Sequence, residues 1–428
     1  MLTPEITNAY IAILNEELLL ATGCTEPIAI AYAAARLRTV LGALPERILV
    51  EVSGNIIKNV KSVVVPNTGG LKGIHAAVAA GVVAGDDTRQ LQVISDIRPD
   101  WHGAIARYAG TTPMEIVCAE TPRLLDICLT GWAGTHSAKV HIANNHNNIV
   151  REEKDGDVLL EKPMTDSPED SLTDKRVLKV ADILEFAETV DLSLVSDLLE
   201  RQIQCNMAIA QEGLEGNWGA NIGAVLLRDY AHDIQTEAKA WAAAGSDARM
   251  SGCELPVVIL SGSGNQGITA SVPVIRYAMR LGVSRETLYR ALLISDLVTV
   301  HQKSGIGRLS AYCGAVSAGV GAGAGIAYLL DGSLDAVAHT IVNAVAMISG
   351  TICDGAKPSC AAKIAAAVDA GILGYHMFRS GQQFRGGEGI VTKGVEATIR
   401  NIGRLGRFGM RETDREIIRI MTGQSSQG

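Results

Sequence analysis

Four cysteines stand where a thiol could do chemistry. Cys313, Cys353 and Cys360 lie in the second half of a 428-residue chain, spaced 40 and 7 residues apart. Between the last two, Gly355 and Pro358 interrupt any continuous helix, so both sulfurs can turn toward one point. No CxxC pair and no local ferredoxin spacing is present. On spacing alone, buried cysteines acting as small hydrophobes therefore remain an open reading. Cys24 follows Gly23 and directly precedes Thr25-Glu26-Pro27, a helix start. The positive end of that helix is expected to lower the thiol's pKa, which suits a nucleophile or base; an incidental turn cysteine is the alternative. A third feature is Ser261-Gly262-Ser263-Gly264-Asn265-Gln266-Gly267, between an apolar run and a helix. Its backbone N–H groups and the side chains of Ser261, Ser263 and Asn265 could receive a carboxylate or phosphate, or simply form a helix-entry turn. Arg249, in Asp247-Ala248-Arg249-Met250-Ser251-Gly252, is a candidate to help orient such an anion. The nine histidines form no metal signature; His136, His141 and His146 read as part of a hairpin.

The elements around these residues change texture along the chain. Thr3-Pro4-Glu5 opens a first helix and Thr25 a second, running to Arg38. From Arg47 strands are expected at 48–52, 60–65, 115–118, 124–129, 139–142 and 158–161, with a helix over 73–85. Beyond about Asp174 ten helices follow, separated by Gly-rich breaks. The fold class is α+β: a large all-helical catalytic domain plus a smaller α/β domain inserted after the N-terminal helices. The expected boundaries are 1–43 for N-terminal helices packing on the catalytic domain, 44–172 for the α/β part and 173–428 for the helical part. The longest uncharged stretch, Leu309 to Leu330, owes its apolarity to Ala and Gly and reads as a buried helix rather than a membrane span.

Composition sets the partners. A formal charge of −8 disfavours nucleic acid and anionic membranes, leaving a small molecule or a second copy of the chain, a homo-oligomer. The first twenty residues carry Glu5, Glu16 and Glu17 instead of a basic segment ahead of an apolar run, so a cytoplasmic protein with reduced thiols is expected.

Taken together, Gly23-Cys24-Thr25-Glu26-Pro27, Gln211-Glu212-Gly213-Leu214, Ser246-Asp247-Ala248-Arg249-Met250, Gly262-Ser263-Gly264-Asn265-Gln266-Gly267, Arg308-Leu309-Ser310-Ala311 and Cys353-Asp354-Gly355-Ala356 resemble the L-cysteine desulfidases. These are relatives of the iron–sulfur L-serine dehydratase α subunit, and the likeness runs in order from end to end. The resemblance implies a 4Fe–4S cluster held by Cys313, Cys353 and Cys360, with Cys24 as the remaining functional thiol and an amino acid as substrate. Cys118, Cys128, Cys205 and Cys253 have no counterpart role and are assigned to packing. The tail from Met421 to Gly428 lacks the cysteine that some serine dehydratases direct at the cluster, which favours the desulfidase branch. Three rivals remain: an L-serine dehydratase with the same cluster, a non-catalytic iron–sulfur protein, and a pyridoxal-phosphate lyase. The last shares a Ser-Gly-Asn-x-Gly loop, but Lys239 is a poor match for its Schiff-base lysine.

Overall fold

The computed structural model describes residues 2–164, 172–307 and 309–423. Arg308 and residues 424–428, which figure in the motif and tail readings, lie outside them. The chain opens with α1 (Pro4–Glu17), β1 (Leu20–Thr22), α2 (Thr25–Leu41), β2 (Arg47–Val52), α3 (Gly54–Val60), α4 (Gly73–Ala84) and α5 (His102–Thr111). Strands β3 (Met114–Cys118), β4 (Asp126–Ala133), β5 (His136–Ala143), β6 (Ile149–Lys154) and β7 (Asp157–Glu161) follow. The remainder is α6 (Val180–Thr189), α7 (Ser196–Glu215), α8 (Ile222–Asp229), α9 (Ile234–Met250), β8 (Pro256–Val258), α10 (Gly264–Leu281), α11 (Arg285–Ile306) and α12 (Gly314–Leu330). It ends with α13 (Leu334–Ile348), α14 (Ser359–Arg379), α15 (Val395–Arg404) and α16 (Arg411–Thr422).

The α+β class holds. A six-stranded sheet has the order β3-β2-β4-β5-β6-β7, and β1 pairs with β8 in a second, two-stranded ladder. β2 and β3 run parallel because α3, α4 and α5 carry the chain back between them, while the other neighbours are antiparallel. Inward-facing Ile48, Val50 and Val52 alternate along β2, and Val50 sits opposite Leu129 of β4. Three sequence expectations change. The strand expected at 60–65 is not formed: Val60 ends a helix over 54–60 that buries Ile56 and Val60, and the run 63–65 after it is irregular apart from a bridge at Val64. β6 was hidden by the polar run Arg151-Glu152-Glu153-Lys154. Helices α5 and α8 also go unread, being short and largely solvent-facing.

Two apolar cores divide the chain. One joins α1, β1, α6, α7, β8 and the helices from α9 to α15. The other joins α2, α4 and the inner face of the six-stranded sheet. Both N-terminal helices were expected on the helical unit, but α2 is buried nearly all round, from Ile28 to Ala35, and lies in the sheet's core. α1 belongs to the helical core through Tyr10, Ile13 and Leu14. Its start is as read: Thr3 Oγ1 accepts from Ile6 N (3.4 Å), with Pro4 in the first turn. The uncharged stretch forms α12 and is buried; among the described residues, no helix is long and apolar enough to cross a membrane.

Candidate functional site

The four chemically placed thiols meet. Cys24, Cys313, Cys353 and Cys360 all line one cavity of about 100 Å³ where the two cores join. Cys313 caps the N-terminus of α12, and its N–H donates to Thr351 O (3.2 Å). Cys353 N donates to Ala311 O (2.6 Å), and a bridge pairs Tyr312 with Ile352. This short antiparallel contact fixes Cys313 beside Cys353. Cys360 occupies the first turn of α14, its N–H on Lys357 O (2.9 Å). Cys24 caps α2, also at a helix N-terminus.

Burial pushes the Cys313 thiol up to about 12, and the neighbouring Cys353 and Cys360 add to the rise. Burial raises Cys360 as well. Asp354 is pushed up by burial, yet ion pairs with Lys357 and Lys363 outweigh this and hold its carboxyl at about 2. These two lysines bring positive charge beside the thiols.

The lowered pKa expected for Cys24 is not found. Its thiol lies well above the usual range, first because it is buried and then because the Glu26 carboxylate stands next to it. Cys24 Sγ donates to Glu26 Oε2 at 3.1 Å. Desolvation and an adjacent negative charge exceed the helix end, and Arg249 opposes them only in part.

The Ser-Gly-Asn loop contributes selectively. Ser263, Asn265 and Gln266 line the cavity, as does Arg249 at the end of α9, whose Nη1 donates to Asn265 Oδ1 (3.1 Å). Gly264 leaves the room Arg249 needs, since a Cβ there would lie 2.3 Å from Nε. Ser261 is not among the lining residues. It turns the chain with a positive φ of 49°, which brings Leu260 N and O against Ser263. Lys239 does not line the cavity either; it pairs with Asp369 (2.8 Å).

Several lining residues escaped the sequence reading: Glu26, Lys58, Asn59, Gln266, Lys303 and Tyr312. Glu26 reads only as part of a helix start and of the motif around Cys24, and its burial is what marks it as a site residue. Lys58 and Asn59 lie in α3, a segment to which the sequence reading gives no element. Lys58 pairs with Asp414 of α16 (2.5 Å), which borders a second cavity of about 760 Å³. That larger space shares Leu309 and Ser310 with the first and carries Arg123, Arg407, Arg411 and Arg415 on its walls.

The donor set fits an iron–sulfur cluster: three thiols from two helix starts and one loop, around a single buried space. Among the described residues, no three His, Cys, Asp or Glu side chains gather closely enough to hold a single metal ion. A cluster does not require this, because its cysteines bind different irons. Two lining atoms, Arg249 Nε and Gln266 Oε1, are buried without a partner, which marks the cavity as incomplete by itself.

The sequence matches the family model described as serine dehydratase alpha chain over residues 67–419. A UPF0597 protein of Desulfitobacterium hafniense is 58% identical over 417 residues, covering 97% of each chain. UPF0597 proteins of Lachnoclostridium phytofermentans and Finegoldia magna are each 49% identical, over 96% of this chain and 98% and 99% of theirs. With a matching model over most of its length and relatives this close, the chain belongs to the serine dehydratase alpha chain family.

Proposed function

We propose that this protein, a lyase of the serine dehydratase type, is an L-cysteine desulfidase converting L-cysteine to pyruvate, sulfide and ammonia. The observation that carries the reading is the meeting of Cys24, Cys313, Cys353 and Cys360 in one cavity with Arg249, Ser263 and Asn265. Cys313, Cys353 and Cys360 would hold a 4Fe–4S cluster, which when bound supplies an open iron position with Lewis-acid character.

The remaining work falls to side chains. Arg249, with Ser263 and Asn265, receives the substrate carboxylate at the start of α10. Cys24, having released its own proton to solvent, takes the α-proton as its thiolate. The electrons of the Cα–H bond form the Cα–Cβ double bond, and the Cβ–S pair departs with sulfide. The aminoacrylate product takes up water outside any further protein chemistry, giving pyruvate and ammonia. In the resting protein the Cys24 proton rests on a hydrogen bond to Glu26, and Arg249 is the cation that favours the thiolate. Tyr312, Ala315 and Ile364 give the same space part of an apolar wall.

The test is anaerobic reconstitution with iron and sulfide, followed by assay of L-cysteine turnover. Equal release of sulfide and pyruvate by a brown protein is expected. A protein that binds no iron, or is inert toward L-cysteine, would overturn the reading. The family description favours one second reading, L-serine dehydration by the same residues; a kcat/KM higher for L-serine than for L-cysteine would establish it.

A further inference from the structure

The thiol cavity is lopsided in charge. Among its described lining residues Lys58, Arg249 and Lys303 are cationic, and Glu26 is the sole carboxylate. A ligand that offered only a thiol and a carboxylate would have use for Arg249 and none for Glu26. Yet Glu26 is built in with care. Asn59 Nδ2 donates to Oε1 (3.0 Å), while Cys24 Sγ and Thr25 Oγ1 each stand 3.1 Å from Oε2. Burial disfavours its charge, but His146, Cys24 and Arg249 outweigh this and keep the carboxyl below its ordinary range. Oε1 has lone-pair capacity for a second donor.

Gln266 supplies an independent observation. It lines the same cavity, is 5% exposed, and its amide oxygen is buried with no donor. A buried acceptor left open is destabilising unless something fills it. An ammonium group carries three N–H donors and no acceptor, which is the complement of a carboxylate and an amide oxygen.

We infer that Glu26 and Gln266 form a receptor for the α-ammonium of the substrate, so that the site accepts α-amino acids and rejects the corresponding deamino thiol acids. The inference rests on the amino-acid lyase reading above and assigns to it a specificity determinant. It also has a geometric consequence. The ammonium nitrogen is bonded to Cα, and Glu26 touches Cys24. Holding the nitrogen at Glu26 therefore brings the α-hydrogen to the Cys24 sulfur, so Glu26 positions the proton transfer as well as selecting the ligand.

The experiment compares two ligands differing only in the ammonium, S-methyl-L-cysteine and 3-(methylthio)propionate, by anaerobic calorimetry on reconstituted protein. The parent is expected to prefer the amino acid by about ten- to a hundredfold, the scale of a charge-assisted contact. Glu26→Gln should abolish that preference while leaving 3-(methylthio)propionate affinity and iron content unchanged. Gln266→Leu should reduce the preference by a smaller factor. An undiminished preference in Glu26→Gln would overturn the inference, as would equal loss of both ligands or failure of the parent to bind the amino acid. Sulfide release by the parent reports separately on the desulfidase reading. Release of sulfide with a preference indifferent to Glu26 sinks the receptor alone; no release with the preference intact sinks the activity alone.

Discussion

Helices α12 and α14 show opposite characters at their middles and at their starts. In the middle they touch backbone to backbone: a Cβ on Gly323 would lie 2.7 Å from Gly371 Cα, and one on Gly371 would lie 2.3 Å from Gly319 O. Ala318, Ala322, Ala324 and Ala367 around them have no exposed surface. At the N-terminal ends the same helices carry Cys313 and Cys360 and open onto a cavity with unpartnered polar atoms. The contrast teaches how helix packing, alongside the local hydrogen bonds of the loops, can hold a thiol pair at fixed spacing. Close packing permits no adjustment, so a crossing locked by missing side chains sets the separation of the two helix starts. The incomplete polar groups can then be spent on a ligand.

The largest effect should follow from opening that crossing. Gly371→Leu forces a branched side chain into the Gly319 and Gly323 backbone, and is expected to lower stability by about 3 kcal/mol or more. Denaturant unfolding together with iron content after reconstitution checks both consequences: the folded fraction and the bound iron should fall together. Full iron binding with an unchanged midpoint would show that the middle of the helices does not set the thiol spacing.

A smaller effect, confined to chemistry, is expected at the other end. Cys24→Ala leaves the crossing and the three other thiols untouched. It should lower kcat for L-cysteine by about 10²- to 10⁴-fold, the usual contribution of a general base. Iron content should stay at the parental level, and stability should change by less than about 2 kcal/mol. Retained turnover with intact iron would remove Cys24 from the chemistry and leave it a packing residue.

How far the sequence discloses this site depends on what kind of fact each residue embodies. Helix starts at Thr25 and after Cys313, and the break between Cys353 and Cys360, are written in Gly, Pro and capping residues, so those thiols could be located beforehand. The helical half was legible because its periods are long and its breaks are glycines. Burial was not legible, and it decides the rest. The helix end at Cys24 promised an acidic thiol, while desolvation and Glu26 reverse the direction. Ser261 and Ser263 look alike in the chain, but a positive φ turns the first away from the cavity and the second caps α10 at its rim. Of α3 only Val60 is legible, as the start of a strand over 60–65; the short run before it carries no clear period, so Lys58 and Asn59, which reach the site from the other core, go unassigned.

The smallest expected effect tests whether unpartnered polar atoms mean the same thing in both regions. Asp296 lies in α11, on the side of α12 away from α14, and has no exposed surface. Oδ1 accepts from Gln202 Nε2 (2.9 Å) and Oδ2 has no donor. No ligand can complete this group, so protonation must: burial raises its pKa to about 7. The unfolded carboxyl titrates near 3.9. Between those values the folded state binds the extra proton, so the stabilisation is fully present below about pH 4 and is lost as pH rises through about 7. Asp296→Asn should flatten this decline, matching the parent within about 1 kcal/mol at pH 4 and exceeding it at pH 8. Saturating S-methyl-L-cysteine should raise the unfolding temperature of both forms alike, because the ligand completes the cavity and not the core. If the parent's stability is level from pH 4 to pH 7, or the ligand stabilises only one form, the polar atoms of the core and of the cavity are not answered separately.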